Sequence, residues 1–109
     1  MVGRSKYGNI KTSYNGRTFD SKLEATWAGH LDMMKLSVNP KQRVTEVEYQ
    51  YKMPIVVNGF KICTYIADFR VTFADRHVEI WDAKGVRTYV YKLKAKLVEA
   101  VYGVKIVEV

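Results

Sequence analysis

A single cysteine, Cys63, stands among 109 residues. One cysteine can form no internal disulfide and no cysteine-based zinc site, so a reducing, cytoplasmic setting is expected. No run approaches the roughly 18 apolar residues a membrane span needs. No charged leader followed by an apolar stretch opens the chain, so a secretory signal is not expected. Acids are scarce: 11 Asp and Glu face 18 Lys and Arg, a formal net charge of +7. Such an excess serves solubility, and it also gathers anionic partners, nucleic acid foremost. Repeats and low-complexity segments are absent. The length fits one domain over residues 1–109, and the 48% hydrophobic content fits a folded core.

The basic residues fall in two stretches. Arg4, Lys6, Lys11, Arg17 and Lys22 fall within residues 1–22, against Asp20 alone; Lys84, Arg87, Lys92, Lys94, Lys96 and Lys105 fall within residues 84–105, against Glu99 alone. Residues 1–19 are polar, basic and glycine-containing, and read as an arm or loose hairpin. Ser21-Lys22-Leu23-Glu24 has capping-box spacing. Leu23, Trp27, His30/Leu31 and Met34 then recur at helical spacing and predict a helix ending before Asn39-Pro40.

From residue 43 the period changes to that of strands. Asn58-Gly59 between apolar runs predicts a hairpin turn. A strand through Tyr65-Ile66-Ala67-Asp68-Phe69 turns near Asp75-Arg76 into another, from Val78 to Lys84. Thr88 is placed to cap a second helix reaching about Tyr102, with Val90, Leu93, Leu97 and Val101 on its buried face. Gly103 suits its end, and Val104 to Val109 adds a short strand. The expected class is α/β, a mixed sheet flanked by helices in the order α-β-β-β-α-β.

Residues two apart on a strand share a face, so Asp82 and Lys84 point the same way. A hairpin centred on Asp75 sets Asp68 opposite Asp82. Two adjacent carboxylates repel each other, and a divalent cation would offset that; Mg²⁺ favours carboxylate oxygens and retained waters. Such a set can hydrolyse a phosphodiester, with Lys84 meeting the developing negative charge. Glu24 borders the buried face of its helix and can complete the site, although the capping box alone also accounts for it. Asp82 and Lys84 also admit a plainer reading, a same-face salt bridge, but their strand is apolar on both faces and buried acids need partners. His30, His77 and Cys63 read as structural.

These residues resemble the PD-(D/E)XK nuclease superfamily, and in particular a phage and prophage family of endonuclease-like proteins akin to restriction endonucleases and archaeal Holliday-junction resolvases. The resemblance runs through Arg4-Ser5-Lys6-Tyr7-Gly8-Asn9, Thr18-Phe19-Asp20-Ser21-Lys22-Leu23-Glu24-Ala25, Tyr65-Ile66-Ala67-Asp68-Phe69, Trp81-Asp82-Ala83-Lys84-Gly85 and Tyr91-Lys92-Leu93-Lys94-Ala95-Lys96. Ala67 stands where the motif name has proline, and Asp82 where glutamate is commoner. The resemblance implies a restriction-endonuclease-like fold. It implies Mg²⁺, with Mn²⁺ able to substitute, bound by Asp68, Asp82 and the Ala83 carbonyl. Lys84 would be catalytic and Glu24 a further acid. Arg4, Lys6, Lys11, Arg17, Lys92, Lys94 and Lys96 are then candidates for phosphate contacts, which give affinity without sequence readout. The expected activity is endonucleolytic cleavage of DNA, branched DNA above all, by a homodimer. A restriction-like or repair nickase on duplex DNA, and a non-catalytic DNA-binding accessory protein, are the alternatives.

Overall fold

A computed structural model of the chain describes residues 11–109. Arg4 and Lys6 therefore lie outside the described residues. The expected loose hairpin is an ordered one: β1 (Thr12–Tyr14) and β2 (Arg17–Phe19) pair antiparallel. Asn15 and Gly16 turn between them with φ of 51° and 79°, the left-handed pair that a two-residue hairpin of matching twist requires. Tyr14 ties this hairpin to the first helix, α1 (Lys22–Met34). Its hydroxyl donates to Asp32 Oδ2 at 2.9 Å, and its ring lies against Gly29, where a β-carbon would meet it at 3.6 Å.

Ser21 caps α1 by accepting from the Glu24 N–H at 3.1 Å. The helix ends at Met34, one turn short of the Asn39-Pro40 stop. Its deepest residues are Glu24, Ala25, Ala28 and Leu31. Leu23, Trp27 and Met34 flank that stripe half-buried, and His30 is exposed.

The main sheet has four strands in the order β3 (Val44–Val57), β4 (Phe60–Phe73), β5 (Val78–Asp82), β6 (Ile106–Glu108). The first two pairings are antiparallel, and β6 lies parallel to β5. Asn58 and Gly59 form the β3–β4 turn with φ of 51° and 83°. The sheet is thus mixed, with helices against it, and the predicted order α-β-β-β-α-β follows the small N-terminal hairpin.

Two apolar clusters meet along the long β3–β4 ribbon. Phe69, Val71, Phe73, Val44 and Trp81 pack with α1 and Phe19. Met53, Ile55, Tyr65, Ala67, Ile80 and Ile106 pack with Val98 of the second helix, α2 (Tyr89–Tyr102). On β4 the change of cluster falls between Ala67 and Phe69, at Asp68.

Thr88 caps α2 and Gly103 closes it in the left-handed conformation, both as expected. Its buried face is only partly the expected one. Leu97 packs on the second cluster as expected, but Val90, Leu93 and Val101 are exposed, and the helix turns Tyr91, Ala95 and Val98 inward. Apolar residues occur on both sides of this helix, so periodicity alone could not choose between them; Val98, wholly buried, decides. The strand expected to run through Lys84 also stops earlier, at Asp82. The Ala83 N–H donates to the Asp68 carboxylate instead of to a main-chain carbonyl, which takes it out of the ladder. Among the described residues no helix is long and apolar enough to cross a membrane.

Candidate active site

Of the acids in the described residues, three are buried: Glu24 (4% exposed), Asp68 (5%) and Asp82 (0%). They are the same three that the sequence singles out. Exposed acids need no explanation, whereas each buried one forfeits water and must be compensated by partners or ligands.

The β4–β5 hairpin brings the two aspartates together. Phe69 pairs with Trp81 and Arg70 with Ile80, the register expected from a turn about Asp75. One residue further on, the aspartates latch onto each other's backbone. Asp82 Oδ1 accepts from the Asp68 N–H at 3.3 Å, and Asp68 Oδ2 accepts from the Ala83 N–H at 2.8 Å. Lys84 Nζ lies 3.4 Å from Asp82 Oδ1 and 3.7 Å from Asp68 Oδ2, so one ammonium serves two carboxylates. It also sits 5.6 Å from the centre of the Tyr91 ring, at the start of α2.

That compensation is incomplete. Asp82 Oδ2 is buried and has no hydrogen-bond partner among the described residues. Burial pushes the Asp82 carboxyl up to about 6, against the pull of Lys84 and the Asp68 N–H. Burial also raises Asp68, opposed by Lys84 and the Ala83 N–H. Glu24 is pushed up to about 7, first by burial and then by the negative charge of Asp68. Lys84 is raised: its own burial acts against its charge, but Asp68 and Asp82 outweigh it. A group of three acids and one lysine, all shifted by burial and by one another, is the electrostatic pattern of a functional site.

Glu24 enters this group from α1. The Ser21 half of the capping box forms, but the Glu24 carboxylate turns inward and accepts from Gln50 Nε2 at 2.9 Å. Gln50 is the member that sequence reasoning missed. It lies between Tyr49 and Tyr51, which pair with Phe69 and Ala67, and so stands opposite Asp68. Its φ is +52°, a left-handed conformation in the middle of a strand, and strain of this kind gathers at functional sites. The Asn58-Gly59 turn by itself would have set Tyr49 opposite Asp68. A bulge between Ile55 and Val56 advances the register by one residue, and no sequence signal marks that bulge.

The remaining candidates are dispersed. Lys11 pairs with Asp20 at 3.0 Å. Arg17 stacks its guanidinium on the Tyr49 ring, 4.1 Å from its centre, beside Gln50. Lys92 and Lys96 are exposed and share a shallow groove with Glu99, Lys105 and Glu108, while Lys94 is half-buried on the Tyr91 side of α2. His77, read as structural, sits in an exposed contact between Asp75 and Glu79.

The model of one protein family matches residues 4–107, nearly the whole chain; its description is protein of unknown function, DUF1064. The chain belongs to the DUF1064 family. No curated protein and no solved structure matches it. The function of this DUF1064 chain therefore rests on the chemistry of its site.

A divalent cation fits two features of that site. The orphaned Asp82 Oδ2 is a buried acceptor that a cation would satisfy, and Asp68 supplies a second oxygen donor across the hairpin. Among the described residues no three His, Cys, Asp or Glu side chains are grouped so as to hold a metal by themselves. Two carboxylates, a main-chain carbonyl and waters would be the donor set, one that suits Mg²⁺ or Mn²⁺ better than zinc.

Proposed function

We propose that this DUF1064 chain is a Mg²⁺-dependent endonuclease of the PD-(D/E)XK kind, acting on DNA in the cytoplasm and preferring branched substrates. The observation that carries the reading is the convergence of the three buried acids on Lys84, with one carboxylate oxygen left unsatisfied. The order of helices and strands agrees with it, as does the net charge of +7.

Asp68 and Asp82 would hold the ion, with the Ala83 carbonyl, next to Asp82 in sequence, as a further donor; Mn²⁺ would serve in place of Mg²⁺. When bound, the ion neutralises phosphate charge and polarises the scissile phosphodiester. Lys84 is 30% exposed at its side chain, enough to meet a phosphate oxygen and stabilise the charge that builds on it. Glu24, with a carboxyl near 7, can take a proton from an attacking water and return it near neutral pH. Gln50 holds one Glu24 oxygen, Oε2, by donating to it. Arg17, on its Tyr49 platform beside Gln50, would contact a phosphate.

The test is cleavage of labelled four-way junction, linear duplex and single-stranded DNA, with Mg²⁺, Mn²⁺ or chelator. Metal-dependent cutting that is lost in Asp82→Ala and Lys84→Ala, and is strongest on the junction, is expected. DNA binding retained by all three proteins, with no cutting of any substrate, would leave a DNA-binding accessory protein on the same scaffold.

A further inference from the structure

The two edges of the β3–β4 ribbon are finished differently. β3 is the outer strand of the sheet, and its open edge carries Glu46, Glu48, Lys52 and Pro54. Charges and proline are the usual means of keeping an edge from pairing with another chain. β4 has an open edge as well, because β5 covers it only from Phe69 to Thr72. From Ile62 to Ala67 that edge has no strand partner among the described residues; Ile62 is the extra residue of the bulge opposite Ile55 and Val56, and beyond it the segment runs regularly, with neither a charge nor a proline.

The backbone of this segment names the kind of occupant. The Asp68 N–H points to the β5 side, toward Asp82. Alternation along the strand turns the N–H and C=O of Ile66 and Thr64 out along that same side. A second β-strand is the partner that satisfies such groups. The side chains agree with it: Ile62 is 56% exposed and Ile66 44%, on a stretch where β-branched residues favour strand pairing.

The sequence of the segment is self-complementary. An antiparallel pairing centred on Thr64 sets Thr64 against its own copy and Ile62 against Ile66 in both directions. Cys63 then faces Tyr65, and no like charges meet. We infer that two copies of this chain join through the open β4 edge, Ile62 to Ala67, making one continuous sheet across a two-fold axis. The two acid clusters then lie on one molecule, each beside the end of the shared edge, since Asp68 directly follows Ala67.

Sedimentation of the full chain over a range of concentrations tests this, together with oxidation of a Thr64→Cys variant in a Cys63→Ser background. Across such a pair the Cα atoms stand about 5.5 Å apart, within disulfide reach. A dimer is expected, with a covalent dimer forming in the Thr64→Cys variant. Ile62→Lys, a change at an exposed side chain, should weaken dimerisation at least tenfold while the circular dichroism spectrum stays that of the parent. Thr64→Pro removes the outward N–H and should do the same. A monomer at all concentrations overturns the inference, even if Phe60→Ser then weakens DNA binding and so assigns the ribbon tip to DNA. A dimer that survives Ile62→Lys and Thr64→Pro, and forms no cross-link in the Thr64→Cys variant, overturns it equally. None of these readouts depends on cleavage.

Discussion

Two clusters of acids around a cation sit at the two ends of β5. At its start His77 lies between Asp75 and Glu79, with all three side chains about a third exposed. At its end Lys84 lies between Asp68 and Asp82, with the acids almost wholly buried. The ingredients are alike and the electrostatics run in opposite directions. Hydrogen bonding to His77 lowers the Asp75 carboxyl, and the bonds to Asp75 and Glu79 raise His77, so Asp75 and His77 are both held in their charged forms. In the buried cluster both carboxyls are raised, because loss of water outweighs Lys84. The charge at the second end is under-compensated, and a bound cation would stabilise it. Burial separates the candidate site from its surface counterpart; residue type does not.

The largest test of that contrast is to remove the buried charge without changing its shape. Asp82→Asn should lower metal-dependent cleavage by about 100-fold or more. In metal-free protein at pH 8 the same change should raise the melting temperature by several degrees, because the site disfavours the ionised form. A variant that is both less active and less stable would mean that Lys84 already balances the pair, and the cation would have no special place there.

Titration sharpens the same point. Asp82, at about 6, and Glu24, at about 7, have folded values above those of an unfolded chain. The folded state then binds more protons, so these groups favour folding fully below about pH 4, and that favour is lost as pH rises through 6 and 7. Each is worth on the order of 3 kcal/mol across that window. Lys84 is raised too, but its contribution fades only above pH 10, outside the window. Metal-free protein should therefore melt at a higher temperature at pH 5 than at pH 8. Millimolar Mg²⁺ or Mn²⁺ should restore the difference at pH 8 and do little at pH 5, where protons hold the sites. Melting curves at the two pH values, with and without metal, decide it.

The buried cluster was legible in the sequence because its geometry follows from two local rules. Side chains two apart on a strand share a face, which aligns Asp82 with Lys84, and the turn about Asp75 sets Asp68 opposite Asp82. Both rules act within one short hairpin, with no bulge between the turn and the acids. Glu24 was ambiguous because Ser21 explains it locally; only the tertiary contact with Gln50 shows where its carboxylate goes. Gln50 itself was out of reach, since its place depends on a one-residue bulge near the far end of the ribbon. The face of α2 was legible only at Leu97, for a different reason. Val90, Leu93 and Val101 are more apolar than Tyr91 and Ala95, yet the smaller Ala95 and the ring of Tyr91 pack on the cluster around Tyr65.

Gln50 supplies a test of intermediate size. Gln50→Gly removes the Glu24 contact and relieves a left-handed non-glycine residue, which costs about 1 kcal/mol. Cleavage should fall about tenfold while stability holds or rises. The pH profile should shift as Glu24 loses its hydrogen bond, a change that a merely structural residue would not cause. An unchanged profile would confine Gln50 to the fold of β3.

The smallest effect belongs to the exposed end of β5. His77→Ala removes an imidazole stacked on Phe73 and held by two carboxylates. Water can replace both ionic contacts there, and such surface clusters contribute little. The melting temperature should move by no more than about 3 °C, and cleavage should stay within about twofold of the parent. The residual effect on stability should be larger at pH 5 than at pH 8, because His77 carries its charge at the lower pH. Loss of cleavage in this variant would break the comparison outright. It would mean that the exposed cluster, with its two acids and a titratable base, is a working part of the site.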